Sequence, residues 1–131
     1  MQTFLPYPDF KKSAMVLDYR RLGNQRNEAT ILLRAIQAHA GPWIHHPATK
    51  MWKGYYSALS AYRDAIVIEW INRGYKNSIP IINDPIIAYP SWLGQESFHS
   101  SHRAVLLHKN LSYYGKFGWL EQPYDKVLWP V

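Results

Sequence analysis

The chain has 131 residues, 47% apolar and 18% charged, which fits one globular domain over 1–131 and excludes a disordered one. Without cysteine there are no disulfides, no thiol nucleophile and no thiolate metal site. A formal charge of +6, a pI near 9.6 and 15% aromatic residues favour an anionic partner, nucleic acid first.

No apolar run approaches the ~18–20 residues that cross a bilayer. Pro6, Pro8, Asp9, Lys11 and Lys12 break any secretory leader, so an intracellular location with no membrane partner is expected. Met1 to Pro8 reads as an extended arm, because two prolines hold it out of helix. Asp9 is placed to cap a first helix carrying Phe10, Ala14, Met15 and Leu17. Gly23 falls inside the helical pattern and predicts a kink or break near it, with a second helical stretch from about Arg21 to Ala38. His39-Ala-Gly-Pro42 ends that stretch.

Trp43 to Pro47 reads as a loop, with His46 as cap and Pro47 suited to a first turn. The longest helix is then expected from about Ala48 to Arg73, stopped by Gly74. Its Trp52, Tyr55, Tyr56, Leu59, Tyr62, Ile66 and Trp70 recur at three- and four-residue spacing, the mark of a buried stripe. Lys76 to Pro90 reads as irregular, the strand potential of Ile79–Ile82 being undercut by prolines. A last long helix should begin at Gln95 or Glu96 and end by Lys109 or Asn110, with His99, His102 and Arg103 on one side and Val105 and Leu106 inward. The aromatic, basic stretch Tyr113 to Trp119 follows, and Trp129 is expected to pack back onto the body. The expected fold is all-α: a compact bundle of three main helices with a kinked first helix, an extended N-terminal arm and irregular loops.

The densest chemistry lies in Asp18-Tyr-Arg-Arg-Leu-Gly-Asn-Gln-Arg-Asn-Glu28, which packs three arginines, a glutamine, two asparagines and two carboxylates into eleven residues. On a helix Arg21, Gln25 and Glu28 share one face, while Leu17, Leu22, Ala29, Leu32, Leu33 and Ile36 supply a separate apolar side. Taken alone, this is a solvated face laced with Arg–Glu pairs. In a chain so basic, it also suits a helix with one side in a core and another toward an anion. Lys50-Met-Trp-Lys-Gly-Tyr-Tyr56 interleaves rings with cations, as a reader of unstacked bases needs, although most rings serve the core.

Taken in order, a set of segments resembles the phage-type pyrimidine-dimer DNA glycosylases, the family containing endonuclease V, and most of all their shorter bacterial and viral branch. The segments are Met1-Gln-Thr-Phe-Leu-Pro-Tyr7, Leu17 to Glu28, His46-Pro-Ala-Thr-Lys-Met-Trp52, Arg73-Gly-Tyr75, Trp92-Leu-Gly94, Phe98-His-Ser-Ser-His-Arg103 and Tyr113-Tyr-Gly-Lys116. The resemblance implies a compact helical domain that kinks damaged DNA and flips out a nucleotide. It also implies cleavage of the glycosidic bond by the chain's own α-amine, through an imine, followed by strand cleavage at the abasic site with help from a helical glutamate. α-Amines ordinarily titrate at about 8, much nearer neutrality than lysine, and flipping exposes the sugar carbon to be attacked. Alignment of the arms puts the α-amine of Met1, followed by the bulky Gln2, at the nucleophile position. Aligned through the Tyr-Arg pair, the family glutamate falls on Arg21. The acids to hand are Glu28, two turns on or roughly 10 Å along the axis, and Asp18, one turn back. Glu28 serves only if the helix is re-seated relative to the arm.

Met1 is therefore the candidate nucleophile and Glu28 the acid–base group, with Arg21 and Gln25 orienting the sugar–phosphate or the acid. Glu28 as a plain partner of Arg21 or Gln25 stands level with that role. Candidate phosphate contacts are Arg20, Arg26, Lys50, Lys53, Arg103, Lys109 and Lys116. His46, His99 and His102 are expected to donate to phosphate or sugar or to brace helices, and Tyr113 and Tyr114 to stack on a displaced base. No metal or cofactor is expected: His99 and His102 lack zinc-site spacing, and no Gly-rich phosphate loop, nuclease acid pair or nucleophile elbow occurs. The expected function is base excision on damaged duplex DNA by a monomeric glycosylase and abasic-site lyase, on a pyrimidine dimer-like lesion. The alternatives are a non-catalytic binder of distorted or abasic DNA that retains the fold, and another chemistry around His46, His99 and His102.

Overall fold

A computed structural model describes residues 1–131, and every regular element in it is helical. In chain order these are α1 (Phe10–Val16), α2 (Tyr19–Ala38), α3 (Pro47–Lys50), α4 (Tyr56–Asn72), α5 (Glu96–Lys109) and α6 (Leu111–Tyr114), then a 3-10 turn at Gly115–Phe117. The three long helices, α2, α4 and α5, make this an all-α fold. Local punctuation sets several ends. The Asp9 carboxylate accepts the Lys12 N–H at 2.8 Å to cap α1, and His46 Nδ1 accepts the Ala48 N–H at 3.0 Å ahead of Pro47. Gly74, at φ +88°, turns the chain out of α4. No helix is long and apolar enough to cross a membrane.

Two expectations about the helices need correction. Gly23 does not break the helix, because α2 runs through it from Tyr19 to Ala38. The break lies earlier, at Leu17 and Asp18, which are both extended. Arg73 fixes it there: its Nη2 donates to the carbonyls of Met15 and Leu17 at 3.2 and 2.8 Å, taking up groups that the end of α1 leaves free. Gly23 is instead a contact glycine. A Cβ there would stand 3.1 Å from the Trp70 ring of α4, so its absence lets the two helices approach.

The long helix expected over Ala48–Arg73 is two pieces, α3 and α4, separated by a turn in which Gly54 takes φ +87°. That turn drives Trp52 into the core, fully buried, whereas Tyr56 is left exposed and does not belong to the stripe. Ile79–Ile82 form no strand.

The arm is extended, as its prolines require, but it is threaded into the body: Thr3, Phe4 and Leu5 are buried. Buried strand-like backbone needs partners, and here side chains supply them. Phe4 N–H donates to Gln25 Oε1 at 2.8 Å, and the Tyr62 hydroxyl donates to Phe4 O at 2.8 Å. Leu5 N–H donates to His102 Nδ1 at 3.0 Å, and His99 Nδ1 donates to Leu5 O at 2.8 Å. Arg103 Nη1 donates to Pro6 O at 2.7 Å, and Trp52 Nε1 to Thr3 Oγ1 at 3.0 Å. The polar residues of the core exist largely to hold this arm.

Candidate active site

Threading the arm brings the first residue of the chain to the middle of α2. The α-amine of Met1 lies 3.7 Å from Glu28 Oε1. The register is set by Gln25, which is 1% exposed. Its Oε1 receives the Phe4 N–H and, at 2.7 Å, the Tyr62 hydroxyl, whose single proton is shared with Phe4 O. Its Nε2 donates to Glu28 Oε2 at 3.0 Å. One buried amide thus ties arm, α4 and carboxylate together. Burial raises the Glu28 carboxyl above the ordinary range, opposed by the amine, the Gln2 backbone and Gln25. A carboxylate so placed can take a proton from the neighbouring amine.

The pair opens into a cleft of about 530 Å³. Arg20, Arg21, Lys109 and Lys126 line it beside Met1, against the two acids Glu28 and Asp125. Asn24 and Trp129 are also in its wall. Four cationic side chains and the amine against two carboxylates suit a sugar–phosphate ligand. Arg21 is partly engaged, its Nη1 lying 3.2 Å from Asp18 Oδ2, and Asp18 in turn accepts the Tyr114 hydroxyl. His46 caps α3 through Nδ1, which leaves its proton on Nε2, and its ring meets Trp129 edge-on at 5.8 Å. Burial, then the nearby amine, lowers its pKa and favours the neutral ring.

The other expected DNA contacts fare unequally. Arg20 and Lys109 are exposed on the cleft, and Lys116 is exposed over the Tyr113 ring at 4.0 Å. Lys50 and Lys53 line a separate small depression with His39 and His45. Arg26 stacks on Trp70 at 4.2 Å and donates to Asn77 at 2.9 Å, on the opposite side of α2 from Glu28.

Five expected contacts are withdrawn on burial. His99 and His102 are fully buried and spent on the arm, with Gly94 N–H also donating to His99 Nε2 at 2.9 Å. Arg103 is held by Pro6, Glu96 and Glu121. Tyr114 is fully buried, and Gln25 braces the site from within. Residues missed in the sequence are Tyr62, whose apolar spacing hides its hydroxyl's task, and Asn24, Asp125, Lys126 and Trp129. Asn24 stands inside the Asp18–Glu28 segment. The last three lie on an irregular segment with no spacing to mark them.

A helical domain that seats its own amine against a helical carboxylate, in a cleft with basic walls, defines a class of protein able to combine amine chemistry with an anionic ligand. Residues 1–83 match the family model described as pyrimidine dimer DNA glycosylase, and the chain belongs to that family. Membership gives it a DNA-repair glycosylase role with DNA as substrate. No curated protein and no solved structure matches the chain. The matched stretch carries Met1, Gln25, Glu28, His46 and Tyr62, whereas α5 and the final segment lie beyond it.

Proposed function

We propose that the chain excises a damaged base, pyrimidine dimer-like, and then cleaves the abasic strand through an imine formed by the Met1 α-amine. The observation that carries this reading is the 3.7 Å pairing of that amine with Glu28 inside the basic cleft. Glu28 takes a proton from the amine, and the freed nitrogen lone pair attacks C1′ of the flipped nucleotide. The C1′–N bond to the chain forms as the glycosidic bond breaks and the base leaves, taking up a proton. Ring opening gives the imine, and loss of a C2′ proton expels the 3′ phosphate. Arg20, Arg21 and Lys109 hold the flanking phosphates, and Gln25 and Tyr62 keep amine and acid in register.

The test is borohydride trapping of untagged protein on duplexes carrying an abasic site or a pyrimidine dimer, with the adduct mapped by mass. An adduct on the Met1 amine, abolished by N-terminal acetylation with DNA binding intact, is the expected result. An adduct on a lysine replaces the nucleophile. No adduct on either duplex, with binding measurable, supports the non-catalytic binder.

A further inference from the structure

Away from the cleft, one buried cation has no counter-ion. Arg63 on α4 is 7% exposed, and none of the ion pairs in the molecule includes it. Its Nη1 donates to Thr30 Oγ1 at 3.2 Å and its Nη2 to Pro80 O at 3.3 Å, both neutral acceptors, and its Nε has no partner. The adjacent Asp64 gives no relief, since its two oxygens accept the N–H groups of Ile82 and Asn83 at 3.0 and 2.8 Å. A guanidinium keeps its charge inside a protein, and burying it unpaired is costly.

Arg63 stands in the wall of a cavity of about 380 Å³ between α2, α4 and the segment 78–82. Arg34, exposed on α2, lines the same cavity, together with Gln37, Tyr56 and Ser78. No acid lines it, and it shares no residue with the Met1–Glu28 cleft.

We propose that this cavity binds a phosphate group, with Arg63 as the buried anchor and Arg34 as the second cation. Planar guanidinium forks match phosphate oxygens, and the hydroxyls of Tyr56 and Ser78 with the Gln37 amide offer more donors than a carboxylate's two oxygens can accept. The phosphate belongs either to the backbone of a DNA duplex or to a small phosphate ester, and the chemistry of recognition is the same for both.

The test is thermal unfolding of the full chain titrated with inorganic phosphate, against chloride at matched ionic strength. Phosphate should raise the midpoint in a saturable way beyond chloride. Arg34→Met, at an exposed position that leaves the fold undisturbed, should weaken the apparent affinity about tenfold, the loss of one charge-assisted hydrogen bond. No rise over chloride, or an equal rise in wild type and Arg34→Met, overturns the proposal. The salt dependence of binding to undamaged duplex then names the source. A log–log slope smaller by about 0.9 in Arg34→Met places a DNA phosphate in the cavity, and an unchanged slope assigns it to a small phosphate ester.

Discussion

Gln25→Leu separates bracing of the site from contact with DNA. Leucine fills similar space with no polar atom. Tyr62 keeps Phe4 O as its acceptor, so the loss falls on two groups. The Phe4 N–H is buried without a partner, at about 1–3 kcal/mol, and Glu28, a quarter exposed, loses a donor worth about 1 kcal/mol. The sum is about 2–4 kcal/mol, or roughly 10 °C in the melting midpoint for a chain of this size. Thermal denaturation reads it directly. With the arm untied from α2, borohydride trapping on abasic duplex should fall at least ~10-fold. Affinity for intact duplex should stay within about twofold, because a side chain 1% exposed has little to offer DNA. A variant within ~0.5 kcal/mol of wild type, or one that loses DNA affinity while trapping is unchanged, refutes the bracing role.

Glu28→Gln keeps the shape and removes the acid, so trapping should drop ~100-fold or more with binding to abasic duplex retained; trapping at the wild-type level rules Glu28 out. Because burial raises the Glu28 carboxyl, the acidic limb of the wild-type rate profile should lie above the ordinary carboxylate range and vanish in that variant. His102 is driven down to about 3 by burial and by His99, from 6.5 in the unfolded chain. The unfolded state therefore takes the proton first, and stability present above pH 6.5 is lost as pH falls toward 3, by up to about 5 kcal/mol. His102→Asn, which can still accept from Leu5, should flatten the denaturation midpoint over that window, and an unchanged pH slope would count against it. Gly23→Val should cost about 1–3 kcal/mol in urea unfolding, since Trp70 is pinned between Tyr19 and Arg26 and cannot withdraw; a neutral result contradicts the close approach.

What could be read from the sequence was local. Asp9, His46-Pro47 and Gly74 mark helix ends through their own backbone chemistry, and the structure puts ends at each of them. What could not be read depended on residues far along the chain. Gly23 looks like a break because glycine weakens isolated helix, but its neighbour in space is Trp70. The real break at Leu17 is held by Arg73, 56 positions on. Likewise Arg21, Gln25 and Glu28 do project from α2, yet Gln25 turns inward because Phe4 and Tyr62 await it. By alignment the amine belongs opposite Arg21, two turns of helix before Glu28. The arm reaches further along α2 than the alignment suggested, and the distance closes to 3.7 Å. His99 and His102 resemble ligand donors in sequence, and nothing near them reveals that a strand of backbone needs both.

The seating of Leu5 also fixes an order of events during synthesis. Its carbonyl and amide wait for side chains 94 and 97 positions later. Until α5 has left the ribosome and packed, the amide and carbonyl of Leu5 lack these partners, although Gln25, Trp52 and Tyr62, nearer in sequence, can already meet Thr3 and Phe4. A fragment ending at residue 83 would contain both groups and the Gln25 brace and still lack the two histidines that seat Leu5. The seating of the arm is thus completed only once α5 exists, so a chain that stops short of it holds Met1 and Glu28 on an arm only partly anchored.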